Sequence, residues 1–347
     1  MRLPNVIGYI VVFLGAKPRP HVSIIKDNLV MYEFRNEPAR THIMRHAAWE
    51  RHQTMLARCR AFEAQTGQTP IYGLSTALAL LGLPIPPARR LDTKQLHLVF
   101  PSPAETRIVR GTKSHSWKPL SAPQAVINIA GVRCTSPAAT FVHMASHCSL
   151  ADNVVVADSM MCRDRMLRRA EPTDFTPILN AAEGCVGVRD AQWALGLARP
   201  DTDSPAESRM RMQGMRRGLP NAEPNIIIGD DPAQRCFIDM AWPEYSVGME
   251  YHGAHHVDQV EHDVLRSNVI LANRWQVFQA FAQTLADEVS AANFFRQVAT
   301  ALRRAGAKIS FHWKPLPLED VAGAKPRPGR HGVPVTSIKR PRGITTL

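Results

Sequence analysis

Two acidic residues, Asp239 and Glu250, stand on consecutive strand-like runs of the chain, 235–242 and 246–251. The short connection through residues 243–245 predicts an antiparallel hairpin. With the turn centred on that connection, Asp239 lies directly opposite Glu250, and opposed residues share a sheet face with Cβ atoms about 5 Å apart. The hairpin therefore brings two carboxylates together, and a slip of one residue in the pairing would separate them.

Apolar neighbours such as Ile238, Met240 and Met249 indicate that this carboxylate pair is buried. Two like charges in a buried site are costly unless a cation or a shared proton offsets them. A divalent cation such as Mg²⁺, which takes carboxylate and phosphate oxygens as ligands, is the simplest expectation. His252 follows Glu250 by two residues and is expected on the same face of the strand.

Histidines are frequent just after the hairpin, and they leave an alternative open. Several of them could form a zinc site, although the segment has no cysteine pair that would complete one. An ordinary surface or core position is also open for each. The histidines concerned are His252, His255, His256 and His262.

The elements around the hairpin predict an α/β fold. Ser204 as N-cap, Pro205 at the first helical position and Glu207 three residues after the cap predict a helix over 204–218 that begins with a capping box. A capping role alone would account for a Glu at position 207, without any part in chemistry. The other expected elements are strands at 225–228 and 275–280 and helices at 258–273 and 287–305. Helix, three strands, helix, strand and helix in that order predict a mixed sheet flanked by helices.

The preceding residues are expected to form an α+β region. Helices are predicted at 39–66, 76–81 and 150–169, and strands at 95–100, 106–110, 125–129 and 132–135. The first two helices are consistent with a small DNA-binding module, and equally with a packed pair that binds nothing. The polar stretch 200–205 predicts a linker and a domain boundary.

The charge distribution favours an anionic partner, with DNA the first expectation. The chain of 347 residues carries a formal net charge of +12. Residues 1–203 hold 24 Lys and Arg against 16 Asp and Glu, whereas residues 204–306 hold 10 against 12. Residues 321–347 add six basic side chains and no acidic one.

Hydrophobic residues at 45% and charged residues at 21% predict a globular protein of about two domains. Its six scattered cysteines indicate reduced thiols, and the apolar run 6–16 is too short to span a bilayer, so we expect a cytoplasmic protein without a membrane segment. The predicted divisions are a leader at 1–35, the α+β region at 36–200, the α/β domain at 204–306 and a basic, disordered tail at 307–347.

Five short motifs lie along this α/β segment. They are E-S-x-x-R from Glu207, F-I-D-M-A-W-P from Phe237, M-E-Y-H-G-x-x-H from Met249, H-D-x-x-R from His262 and W-Q-V from Trp275. Together, over about residues 204–285, they resemble the bacterial domain related to very-short-patch-repair endonucleases, a member of the PD-(D/E)XK restriction-endonuclease-like superfamily. Residues 70–165 contain G-L-P-I-P from Gly82, T-S-P-A-A-T from Thr135 and V-V-A-D-S from Val155, and they resemble the AbiEi-like antitoxin region that often precedes this domain.

The resemblance implies a metal-dependent DNA endonuclease that uses Mg²⁺ or Mn²⁺. The residues of this chain that match the family's motifs take over the family's roles as implied ones. Asp239, Glu250 and His252 would bind the metal, and Glu207 would hold a metal-bound water or complete the metal shell. His256 would position or deprotonate water, while Asp263 and Arg266 would orient the histidine and the phosphate.

His252 departs from the pattern, because relatives usually have Asp there. A neutral imidazole binds Mg²⁺ weakly and transition metals well. The change therefore predicts either a preference for Mn²⁺ or an inactive nuclease. The alternative function is a non-catalytic DNA-binding transcriptional regulator or antitoxin with a decayed nuclease fold, for which a toxin or other protein partner stays open.

Overall fold

A computed structural model describes residues 39–229, 235–252 and 260–323, and within them the chain is a mixed α/β protein. The helices of the front half are α1 (Ala39–Thr66), α2 (Leu74–Leu80), α3 (Pro137–Met144), α4 (Leu150–Met160), α5 (Phe175–Ala181) and α6 (Val188–Leu197). Its strands are β1 (Leu96–Phe100), β2 (Thr112–Ser116), β3 (Val126–Ile129) and β4 (Val132–Thr135). The bounds predicted for α1 are confirmed.

Buried Tyr72 joins two small sheets in the front half. β1 pairs in parallel with β2, and β3 pairs antiparallel with β4. The backbone of Tyr72 bridges Leu98 on β1 and Cys134 on β4, so the two sheets lie side by side. Helices α2 to α6 cover them and enclose one hydrophobic core.

Two predictions for the front half are wrong. Residues 106–110 are not a strand, because successive turns bring the amides of Thr106 and Thr112 onto the carbonyls of Pro103 and Val109, and the strand begins only at Thr112. The helix predicted to reach residue 169 ends at Met160, where the carbonyl accepts from the amide of Arg169 as the chain turns back.

The back half contains the predicted order of elements. They are α7 (Pro205–Arg216), β5 (Glu223–Ile228), β6 (Cys236–Trp242), β7 (Val247–His252), α8 (Val260–Ala272), β8 (Gln276–Phe281), α9 (Ala282–Ala286), α10 (Glu288–Arg304) and α11 (Leu318–Val321). The sheet order is β5-β6-β7-β8, with β5, β6 and β7 antiparallel in turn and β8 parallel to β7. A mixed sheet flanked by helices is therefore confirmed.

Each sheet face is covered by a different helix. Phe295 and Val298 of α10 pack with Met240 and Met249 on one face. Val269 and Ile270 of α8 pack around Ile238 on the other. The sheet is thus buried on both sides around the middle of β6 and β7, which is where the candidate site begins.

Helix α7 belongs to both halves of the protein. Its Met210 lies in the core under α10, whereas Met212 and Met215 lie in the front core. Between them, Arg211 pairs with Asp158 of α4 at 2.5 Å, and both side chains are 1% exposed. The two halves are therefore packed together along this helix.

The predicted linker and part of the predicted tail are also packed. In the linker, Asp201 and Asp203 form ion pairs with Arg168 and Arg163. Within 307–323 the chain returns across α7 and places Leu318 in the front core at 6% exposure. The prediction of disorder is therefore wrong for residues 307–323. The predicted leader and residues 324–347 lie outside the described residues.

Within the described ranges, none of the helices combines the length and the apolar character that crossing a membrane requires.

Candidate functional site

The hairpin that carries the candidate site has the predicted register. Met240 pairs with Met249, and Trp242 pairs with Val247. A turn over Pro243–Tyr245 joins the strands and is closed by Ser246, whose φ of +51° is left-handed. Because the connection is short, the turn alone determines which residues face each other.

Asp239 lies where the ladder between β6 and β7 stops. The regular pairing ends at Met240 and Met249, one position before Asp239 and Glu250 would meet. The amide of Tyr251 instead donates to Asp239 Oδ2 at 2.9 Å. The carboxylate thus takes the place of a main-chain acceptor and anchors β7 to β6 at this point.

Glu250 is buried and carries an ion pair. Its side chain is 5% exposed, and Oε1 accepts from the Arg266 guanidinium of α8. The same guanidinium donates to the carbonyl of Phe237 on β6. A buried carboxylate needs such a partner, because an isolated charge in the interior is strongly disfavoured. In this structure Arg266 therefore neutralises Glu250. The resemblance implied a different role for Arg266, that of orienting the phosphate.

His252 lies beside Glu250 on the same side of β7. Its Nε2 is 4.0 Å from Glu250 Oε2. Metal ligands of this kind lie about 2.0–2.2 Å from the ion, so two donors on one ion are at most about 4.4 Å apart. The ring also stacks on Phe281 of β8, with centroids 5.3 Å apart. The 4.0 Å separation is within this limit but corresponds to donors on nearly opposite sides of an ion, so the pair does not by itself define a metal site.

Glu207 makes local contacts at the start of α7. It is completely buried, and its two carboxylate oxygens accept from the amide of Asp203 at 3.0 Å and the hydroxyl of Ser204 at 2.8 Å. The amide of Glu207 in turn donates to Ser204 Oγ at 3.3 Å. The predicted N-cap of Ser204 is therefore present, while the Glu207 carboxylate accepts from the amide before the cap and not from the Ser204 amide that a capping box uses.

A complete metal-ligand set is not seen in the described part of the chain. Within residues 39–229, 235–252 and 260–323, no three His, Cys, Asp or Glu side chains are grouped closely enough to hold a metal ion, so Asp239, Glu250 and His252 do not form the predicted three-ligand site. His255 and His256 lie outside these residues, as do the side chains of His262 and Asp263. The expected contributions of His256 and Asp263, and the zinc alternative, therefore stay predictions.

Sequence reasoning missed two residues that flank this site. In the parallel pairing of β7 and β8, Gln279 stands beside Glu250 and Phe281 beside His252. Both are exposed. The pairing of strands separated by a helix leaves no local pattern in the sequence, so only the three-dimensional structure brings these side chains to the site.

A second group of titratable side chains lies in the front half. His97 Nδ1 and His115 Nε2 are 2.9 Å apart, and the His115 ring contacts the edge of His143. His143 stacks on Trp117 with ring centroids 4.8 Å apart. Burial, with smaller contributions from the neighbouring histidines, lowers the pKa of His115 to about 4 and that of His143 to about 3. These rings are therefore neutral at pH 7.

Comparison with known proteins found no matching family model, curated protein or solved structure.

Proposed function

We propose that this protein is a metal-dependent endonuclease that hydrolyses phosphodiester bonds in DNA, of the very-short-patch-repair-like type. The observation that carries the proposal is the arrangement at the end of β7. A buried carboxylate, Glu250, lies 4.0 Å from the imidazole of His252, and the Asp239 carboxylate accepts from the amide of Tyr251, the residue after Glu250. Such a donor set suits Mn²⁺ better than Mg²⁺, because imidazole is a weak Mg²⁺ ligand.

Each residue then has a defined task. Glu250 and His252 bind the cation, and Asp239 holds β7 in place through the Tyr251 amide while its carboxylate adds negative charge. A cation held by these residues would supply a water of lowered pKa and would offset charge at the scissile phosphate. Arg266 neutralises Glu250 when no cation is bound, and its guanidinium can contact phosphate once the cation takes over that role.

The charge distribution supports a nucleic-acid substrate. The net charge of +12 comes from the front half and the C-terminal residues, whereas residues 204–306 are slightly acidic. Basic side chains bind the phosphate backbone without regard to sequence and release counterions. The six free cysteines support a cytoplasmic location.

One observation favours the second candidate, a DNA-binding regulator or antitoxin without nuclease activity. Arg266 satisfies Glu250, and local hydrogen bonds satisfy Glu207, without any metal. In this case the same carboxylates serve only to hold the fold, and the basic surfaces alone contact DNA. A toxin or other protein partner would belong to this candidate.

Plasmid nicking distinguishes the two candidates. The wild type is incubated with supercoiled plasmid and Mn²⁺, Mg²⁺ or EDTA, alongside Glu250→Gln. Glu244→Gln is the matched control, because Glu244 is an exposed acid in the turn of the same hairpin. We expect nicking with Mn²⁺ by the wild type and the control, and at least a 100-fold loss in Glu250→Gln.

Binding measured in parallel keeps the outcomes separate. A wild type that retards DNA at low salt, yet leaves the plasmid intact with every divalent ion, would support the regulator and reject the endonuclease. Melting curves with and without Mn²⁺ add a second measurement. We expect Mn²⁺ to raise the melting temperature of the wild type and not that of Glu250→Gln, and equal shifts would place the metal elsewhere.

A further inference from the structure

Strand β8 has one open edge. Of the strands that the structure describes, it is the last in the sheet, with β7 on one side. The amide of Gln276 donates to the carbonyl of Ser246 at 2.9 Å, so the main chain of Gln276 points toward β7. In a parallel pair the N–H and C=O of one residue point to the same side, and this side alternates along the strand. The main-chain groups of Val277 and Gln279 therefore point away from β7.

The open edge is short because the next element closes its far end. The amide of Phe281, which by the same alternation points away from β7, donates to Thr284 Oγ1 at the start of α9. Within β8, Val277 and Gln279 each keep an outward N–H and C=O that no other described strand pairs. Unpaired groups of this kind form a template for another strand.

A groove of about 460 Å³ lies beside this edge, between β8 and the first turns of α10. Val277, Phe278 and Gln279 line it from the strand. The helices contribute the other lining residues, Thr284, Ser290, Asn293, Phe294 and Gln297. All of these lining residues are neutral. The edge therefore has space beside it for an added strand, with amides, hydroxyls and aromatic rings to contact that strand.

The absence of charge from this lining indicates the partner. The chain carries a net charge of +12, and repulsion between like charges opposes the meeting of two copies over most of their surface. In a two-fold contact the same patch comes from both copies, so a charged group in the patch would approach a group of its own sign. The neutral lining avoids this repulsion, and its amides both donate and accept hydrogen bonds. A second copy of this chain is therefore the partner that the surface fits.

We propose that two copies of the chain pair through the open edges of β8, so that their two sheets become one continuous sheet. Two identical strands that pair antiparallel are related by a two-fold axis. When Val277 faces Gln279 of the second copy, every outward N–H and C=O of these residues finds a partner. Phe278 then lies on the axis, and the rings of the two copies come within contact distance. This pairing does not depend on whether the chain cleaves DNA.

Sedimentation velocity of the full chain over a range of concentrations tests the proposal. Gln279→Pro is the test variant, because proline lacks the outward N–H and is tolerated on the open side of an edge strand. Gln279→Ala is the matched control, because it changes the same side chain and keeps the N–H. Thermal melting of each variant shows whether the fold is kept.

We expect the wild type and Gln279→Ala to be dimers at about 100 μM and to dissociate on dilution, as a contact of micromolar affinity does. Gln279→Pro should weaken the dimer by about 5- to 150-fold. This is the range for loss of two main-chain hydrogen bonds, one on each side of the axis.

A pair of charge variants tests the two-fold axis separately. Residues placed diagonally across an antiparallel pair lie about 7–8 Å apart, so long side chains at position 279 of the two copies can reach each other. Gln279→Lys and Gln279→Glu should each dimerise more weakly than the wild type, because each places like charges across the axis. An equimolar mixture of the two should dimerise more tightly than either variant alone.

A wild type that stays monomeric up to about 100 μM would overturn the proposal. A peptide of another protein and a segment within residues 1–38 are the competing occupants of the edge, and either would give this result. A dimer that a folded Gln279→Pro leaves unchanged would also overturn it. If Gln279→Pro does not fold, the charge variants decide, because a mixture no more dimeric than its components would exclude the two-fold pairing.

Discussion

Lowering the pH from 7 to 5 is expected to destabilise the front half of the chain through His143. This residue is 8% exposed, and its ring lies flat on Trp117. Burial first, and then the proximity of His115, His147 and His97, lower its pKa to about 3. The folded state therefore keeps the ring neutral at a pH where the unfolded chain, with a histidine pKa of about 6.5, binds a proton.

The sign and size of the effect follow from that difference. Because the folded pKa lies below the unfolded one, the unfolded state binds more protons below pH 6.5, and stability falls as the pH falls toward 3. From pH 6.5 to pH 5 the free energy of unfolding falls by about 1.4 kcal/mol per pH unit, which amounts to about 2 kcal/mol for His143. His115, with a pKa of about 4, acts in the same direction.

Urea unfolding of the full chain at pH 5, 6 and 7, followed by tryptophan fluorescence, measures the effect. His143→Phe keeps a flat ring against Trp117 but cannot take up a proton, so the loss between pH 7 and pH 5 should shrink by about 2 kcal/mol. His46→Phe is the control, because His46 lies on α1 with its side chain 52% exposed. The reasoning is refuted if His143→Phe and the wild type lose the same free energy of unfolding on acidification.

Two further predictions concern contacts within and just after α7. Asp158→Asn leaves the Arg211 guanidinium buried without its ion-pair partner. Urea unfolding should then show a free energy of unfolding that is lower by about 3–5 kcal/mol. A variant as stable as the wild type would show that the pair is dispensable. Gly218→Ala should lower the melting temperature far more than Gly306→Ala. Both glycines have left-handed φ angles, but a Cβ at Gly218 would lie 1.9 Å from the Ser310 carbonyl oxygen and one at Gly306 would meet nothing within 4 Å. The extra cost is about 1–3 kcal/mol, and equal melting temperatures would contradict the close packing of residue 310 on α7.

The parts of the site that could be predicted are those fixed by local chain geometry. The register of β6 and β7 follows from the turn between them, and the N-cap of α7 by Ser204 follows from the neighbouring Pro205 and Glu207. Both could be read from spacing alone. The Arg266 partner of Glu250 was not predicted, because it depends on how α8 crosses the sheet.

Turns and pairings between distant segments explain the errors in the fold. The early end of α4 depends on the Met160 carbonyl, which accepts from the amide of Arg169 in a returning chain. The strand at Thr112–Ser116 lies after the predicted one, and it pairs in parallel with β1. The alternation of apolar and polar residues along a strand does not show which strand it pairs with. Polar composition predicted a linker at 200–205, but composition alone does not reveal that Asp201 and Asp203 there pair with arginines of the front half.

These ion pairs bear on how a bound nucleic acid would meet the site. The guanidinium of Arg163, which pairs with Asp203, also lies 4.5 Å from the ring centroid of Phe237 on β6. Phe237 in turn gives its carbonyl to Arg266, the partner of Glu250. A short chain of contacts thus runs from the front half to the candidate site, beside the packed surface of α7. Because these contacts fix the front half to the hairpin, the proposed function implies that DNA held by the front half would reach Glu250 at a constant offset.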